Sequence, residues 1–269
     1  MVGDKQLYHS LSTVFEEIDS SNFSVVQLGA ADGKDHMNEL VSKHGKVNDW
    51  NCLFVEPGLL YFNLLKETYK DTEYLFENSA ISNKTEEAIF YRVFPSKMLE
   101  QIKATGFSNF NAIDIHDTKG KKAFGKAFKR SSLVESSYLL RVSHKETGEE
   151  PAFYKTLVPC LSLKDLLLKH NLEKVDFLHI DCEGYDFEII KQIDFSSRFR
   201  PSLICYEEWG GSKLKEEDDM SGKISLGPST SSKCRTLLQK NKYFTHIVES
   251  EDTTKNIIAI DSTRLDFKF

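Results

Sequence analysis

Four nearly unbroken apolar runs most constrain the fold open to this chain: "FSVVQLGA" (23–30), "NCLFVEP" (51–57), "VDFLHID" (175–181) and "PSLICYEEW" (201–209). A strand with one wet face alternates apolar and polar residues, and these do not. Both of their faces must be buried, which happens where helices cover both sides of a largely parallel sheet. The stretches between them supply those helices: "DHMNELVSKHG" (35–45), "LLYFNLLKETYK" (59–70), "SLKDLLLKHN" (162–171), "YDFEIIKQI" (185–193) and "SKCRTLLQKNK" (232–242) carry helical spacing. "TEYLFENSAIS" (72–82) and "EAIFYRVF" (87–94) read as short strands, and "YFTHIVES" and "KNIIAID" as a closing antiparallel pair. The expected organisation is one α/β domain over 1–269, with 1–22 a helical extension. Residues 95–157 are an inserted lid or acceptor-binding region, because loops of that length in a compact domain are functional or disordered.

Composition narrows the function. The chain has 269 residues, 28% charged and 40% hydrophobic, which is ordinary globular balance. A net charge of −6 argues against a nucleic-acid partner, since phosphate binding wants a basic balance. No apolar stretch approaches the roughly 18 residues of a membrane span. The five cysteines (Cys52, Cys160, Cys182, Cys205, Cys234) are scattered without a C-x-x-C pair, which reads as buried thiols in a reducing, cytoplasmic setting. The sequons at Asn22 and Asn83 carry no meaning there.

In an open α/β sheet, ligands sit beyond the carboxyl ends of the strands. Here those ends are rich in acids and amides: Gln27 before "GAADG" (29–33), then Glu56, then Glu77, Asn78 and Ser79, then Asp181 and Glu183, then Glu207 and Glu208. A nicotinamide dinucleotide site would need glycines where Ala31 and Lys34 stand, and Asp32 would face its diphosphate. A positively charged cofactor without phosphate suits the turn better. S-adenosylmethionine, with a sulfonium, an amino group and a ribose diol, fits, and Glu56 then accepts from the ribose hydroxyls.

Together, "VVQLGAADG", "LFVEPG", "ENSAIS", "LSLKDLL" and "FLHIDCEGYDFEII" resemble the FkbM family of S-adenosylmethionine-dependent methyltransferases. The last motif is the most specific, close to the family's Lys-Ile-Asp-Val-Glu-Gly pattern. The resemblance covers roughly residues 24–94 and 156–261. It implies a class I methyltransferase (Rossmann-like) fold, with a mostly parallel seven-stranded sheet, an antiparallel closing strand and helices on both faces. It also implies O-methylation of a sugar, glycan or natural-product hydroxyl. The cofactor would lie against Gln27, Gly29, Ala30, Asp32, Gly33, Glu56, Pro57, Asn78, Ser79, Ala80 and Asp181. Gln27 stands where the family usually has Asp, and Ala31 where it often has Asn.

Two mechanisms follow. Asp181 or Glu183 takes the acceptor's proton as general base. Alternatively, Asp181, Glu207 and Glu208 hold Mg²⁺ against the hydroxyl, resembling metal-dependent O-methyltransferases. Plainer readings stand beside these. Asp181 and Glu183 could cap the helix that follows, and Glu207 and Glu208 could be solvated charge at a strand end. His179 lies in an apolar strand as a core histidine; His116 and His144 are ordinary surface, or a base contributed by the insertion. The run "KGKKAFGKAFKR" (119–130) is a solvated face, or a lid over an anionic, diphosphate-linked acceptor. The rival function is a non-catalytic binding or scaffold domain that keeps the fold. A nucleic-acid methylase is weakened by the lack of an Asn-Pro-Pro-Tyr-like motif.

Overall fold

The computed structural model describes residues 2–96, 131–133, 137–148, 150–209, 228–249 and 254–264. Its centre is a seven-stranded sheet in the order β3–β2–β1–β8–β9–β11–β10. The strands are β1 (Ser24–Leu28), β2 (Asn51–Val55), β3 (Leu75–Glu77), β8 (Phe177–Ile180), β9 (Leu203–Trp209), β10 (Tyr243–Glu249) and β11 (Thr254–Asp261). β1, β2, β3, β8 and β9 pair in parallel, while β11 runs antiparallel to both β9 and β10.

Successive strand residues face opposite sides, and each side has its own core. Val25, Phe177, Leu203 and Ile258 pack on one side, against Leu7, Leu11, Met37 and Leu40. Val26, Leu178, Ile204 and Ile257 pack on the other, against Leu163, Leu166, Ile189 and Leu238. The near-continuous apolar runs are therefore buried on both faces, as their pattern requires.

The N-terminal helix Val2–Glu17 does more than extend the domain. Leu7, Leu11, Val14 and Phe15 form an apolar stripe, and all four are buried. Phe15 meets Trp50 and Phe177 at ring-centroid distances of 4.7 and 5.4 Å, closing one face of the sheet. The segment 35–45 is α-helical only over His36–Leu40, then widens into a π-helical turn at Val41–Gly45. Among the described residues, no helix is long and apolar enough to cross a membrane.

A second sheet, not anticipated from the sequence, has the order β4–β7–β5–β6, with β4 (Ala80–Ile81), β5 (Glu86–Pro95), β6 (Ser131–Ser132) and β7 (Pro151–Leu161). The stretch 72–82 thus divides between two sheets: β3 stays in the large one and β4 leaves it. β5 and β7 pair antiparallel from Glu86↔Cys160 to Pro95↔Pro151. Residues 151–157, read from sequence as part of the insertion, are therefore strand. A further helix covers Ser137–Thr147. The basic run 119–130 and His116 lie outside the described residues. His144 is exposed, 3.8 Å from Glu150.

Candidate functional site

β1 is the strand where chain order reverses, with β2 on one side and β8 on the other. The turns leaving β1 and β8 meet there. The Asp181 amide donates to the Leu28 carbonyl at 2.9 Å, and the Gly29 and Ala30 amides both donate to Val55 at 3.0 Å. Gly29 has φ +79°, and a Cβ there would collide with the backbone carbonyl of Asp181, 2.9 Å from its carbon and closer still to its oxygen. Only glycine lets the two turns approach so closely. Ala31 and Glu183, one in each turn, hold the left-handed conformation at φ 46° and 49°. For residues with a side chain this costs about 1–2 kcal/mol each, and such positions gather at functional sites.

Between these turns and the second sheet lies a cleft that is open to solvent. Gly29, Ala31, Asp35, Glu56, Pro57 and Tyr61 line one part of it. Ser79, Ala80, Ile81, Phe90, Ser132 and Leu133 line another, and Asp181, Cys182 and Glu183 a third. The lining holds four carboxylates (Asp35, Glu56, Asp181, Glu183) and, among the described residues, no Lys, Arg or His. Its field favours a cation.

Four of the five amides of the glycine turn (29–33) donate within the protein. Besides Gly29 and Ala30, the Ala31 amide donates to Glu56 Oε2 at 3.0 Å, Gly33 to the Ala30 carbonyl at 2.9 Å, and Lys34 to Asp32 Oδ1 at 3.2 Å. A phosphate-binding turn aims such amides at its ligand. This one aims them at a carboxylate. Two buried hydroxyls in the cleft wall, Ser79 Oγ and Tyr61 OH, have no hydrogen-bond partner among the described residues, as suits a wall that receives a polar ligand. Anionic lining, a turn whose amides mostly donate within the protein, and the two buried hydroxyls together fit S-adenosylmethionine.

The sequence profile of the FkbM methyltransferase domain matches residues 27–262, taking in both turns and Glu56. The chain belongs to the FkbM methyltransferase family. No curated protein matches it at a significant level. Among solved structures, human methyltransferase 10 domain containing protein shares 11% identity at a TM-score of 0.41, over 96% of this chain and 81% of that one. Fibrillarin of Aeropyrum pernix, solved with natively bound S-adenosyl-L-methionine, shares 11% at a TM-score of 0.39, over 89% and 67%. The methyltransferase domain of bacterial CtHen1 shares 8% at 0.39, over 96% and 99%.

Within this FkbM domain the residues singled out from sequence take different places. Gly29, Glu56, Pro57, Ser79, Ala80, Asp181 and Glu183 line the cleft; Gln27, Ala30, Asp32, Gly33 and Asn78 do not. Gln27 sits in β1 opposite His179, on the face covered by the N-terminal helix. Its Nε2 donates to Asp35 Oδ2 at 2.8 Å, so it orients a lining carboxylate from behind. Asn78 Nδ2 donates to the Glu56 and Pro57 carbonyls at 2.8 and 3.2 Å, shaping the loop that carries Glu56. The Thr68 hydroxyl donates to the Asp32 carbonyl at 2.7 Å, fixing the turn against the helix Leu59–Thr68. His179 is a core histidine, its Nε2 2.8 Å from Nε2 of His36. Asp35 and Tyr61 were missed. Asp35 is visible in sequence only as the helix cap it also is, accepting from Met37 N at 2.9 Å.

The expected metal triad does not form. Asp181, Glu207 and Glu208 do not converge, and among the described residues no group of three or more His, Cys, Asp or Glu side chains is placed to hold a metal ion. The reason is local: β9 runs through to Trp209, so Glu207 and Glu208 lie within the strand and point to opposite faces. Glu208 is buried, bound to Tyr206 OH and Arg235 Nε, each at 3.1 Å. The acid that does stand near Asp181 and Glu207 is Asp186, whose oxygens accept from the Cys182 and Glu207 amides at 3.3 and 3.2 Å. Burial, then the charges of Asp181 and Glu207, push its carboxyl well above the usual range.

Glu77, at the end of β3, lies behind the Glu56 loop and accepts from Lys169 at 3.0 Å and from His170 at 2.8 Å. Burial raises its carboxyl, but the bonds from Lys169 and His170 outweigh this and hold it below the ordinary 4.5. A depressed carboxyl stabilises the fold above its unfolded value and loses that contribution as pH falls through the folded value. Glu77→Gln should therefore cost roughly 1–2 kcal/mol near neutrality. The gap from wild type should close as pH is lowered below 4.5. Thermal melts of both proteins across pH check it; a gap constant with pH contradicts the charge-based account.

Proposed function

We propose that the protein transfers a methyl group to a hydroxyl of a sugar, glycan or natural-product acceptor. The observation that carries this reading is the anionic cleft at the switch point, lined by Asp181, Glu183 and Glu56. When bound, S-adenosylmethionine supplies an electrophilic methyl group on a positively charged sulfur. Glu56 would accept from the ribose hydroxyls, its carboxylate fixed in place by the Ala31 and Gly58 amides that donate to it. Ser79 Oγ and Tyr61 OH offer further polar contacts along the same wall.

Asp181 is exposed and lines the cleft, while Glu183, half-buried, lines it from a left-handed turn. A sugar hydroxyl becomes a competent nucleophile as its proton leaves. One of these carboxylates would take that proton, leaving the oxygen free to accept the methyl group that S-adenosylmethionine would supply. The helix behind them starts with Asp186 bound to backbone amides, which keeps the turn in place. Positioning and exclusion of water supply most of the acceleration.

Tritium-labelled S-adenosylmethionine, offered with neutral sugars, glycans, natural products and diphosphate-linked sugars, tests the reading. The expected result is label transferred to a hydroxyl, with Asp181→Asn or Glu183→Gln lowering kcat by about 10²–10⁴. Cofactor binding without transfer to any hydroxyl in the panel points instead to a binding domain. Label appearing only on nitrogen or carbon overturns the O-methyl assignment.

A further inference from the structure

Glu56 is only 7% exposed, and a carboxylate withdrawn from water is costly unless a cation stands near it. The cleft lining supplies none among the described residues. The cation comes from the second sheet. Arg92, in β5, is 5% exposed, and its guanidinium lies 5.6 Å from the ring centroids of both Tyr61 and Phe94. A Cβ placed on Gly58 would stand 2.8 Å from Glu56 Oε1 and 3.7 Å from Cζ and Nη2 of Arg92. Carboxylate and guanidinium thus flank the same small residue. Burial lowers the Arg92 pKa, and the nearby Tyr61 and Glu56 oppose that shift.

We propose that Arg92 is a positioning residue for the cofactor: from the second sheet it keeps the Glu56 carboxylate charged and aimed at the ribose. The inference rests on the reading of Glu56 given above. It makes the second sheet part of the cofactor site even though Arg92 does not line the cleft. The rival account is that Arg92 only fills space between two aromatic rings.

A double-mutant cycle read by calorimetric titration of S-adenosylmethionine into the full chain separates these accounts. Arg92→Met should raise Kd by about 10–100-fold in the wild-type background and by less than about threefold in the Glu56→Gln background. Arg92→Lys, which keeps the charge, should recover most of the loss. Thermal melts confirm that each variant is folded; if Arg92→Met is not, Arg92→Gln takes its place in the cycle. Equal losses in both backgrounds, no loss in a folded variant, or no rescue by lysine overturns the inference while leaving the Glu56 reading intact. A Glu56→Gln variant that binds as wild type overturns both.

Discussion

Replacing Gly29 by alanine is expected to lower stability by on the order of 3 kcal/mol or more, and to abolish S-adenosylmethionine binding with it. Two costs add. A side chain at φ +79° is strained by about 1–2 kcal/mol. The added methyl also overlaps the Asp181 carbonyl, which is backbone and cannot swing aside; overpacking typically costs 1–3 kcal/mol or more. Relief requires β1 and β8 to part at the switch point, and that opens the cleft floor. Gly148 is the internal control. Its φ is +68°, and among the described residues nothing lies within 4 Å of where its Cβ would stand, so Gly148→Ala carries the strain alone. Thermal melts and cofactor titrations of the two variants check the difference. Equal melting temperatures would show that the Asp181 contact does not matter.

The second large effect is expected at Glu56. Glu56→Ala removes charge-assisted bonds to the ribose, on the order of 1.5–3 kcal/mol, or roughly tenfold to a hundredfold in Kd. It also leaves the Ala31 and Gly58 amides without their carboxylate, so part of the loss reflects a loosened turn. An analogue lacking the ribose hydroxyls separates the two parts. Wild type should discriminate strongly against it, and Glu56→Ala hardly at all. A mutant that keeps both full affinity and that discrimination would remove Glu56 from the ribose site.

Much of this architecture is legible along the chain. Apolar runs without alternation demand two covered faces, and residues 25 and 26, 177 and 178, and 203 and 204 do divide between two cores. The glycine turn and Glu56 are likewise local signals, since each follows directly from where its strand ends. β7 is not legible, because its sequence does not follow its burial: over 154–160 burial alternates residue by residue, yet the apolar Leu157 falls on the exposed face and Pro159 stands inside the strand. It is strand because β5 offers a partner along ten paired positions. Glu207 and Glu208 misled for a related reason. An adjacent acidic pair looks like a strand end only until pairing with β11, through Asn256↔Glu207 and Lys255↔Glu208, shows the strand running on.

What the sequence by itself determined is the layered α/β fold, the switch-point location and the acidic character of the ligand edge. These depend on hydrophobic period and on residues at strand ends, both of which are local. Only the tertiary structure decided which acids share a cleft and which are turned away. It also decided that Asp35 and Tyr61 join the lining, that Gln27 works from behind it, and that Arg92 stands beside Glu56. These facts depend on contacts between residues far apart in the chain, 36 positions in the last case, and on which face of its strand each residue occupies. No periodicity records such distances, because the chain reaches them only when both sheets have formed and packed together.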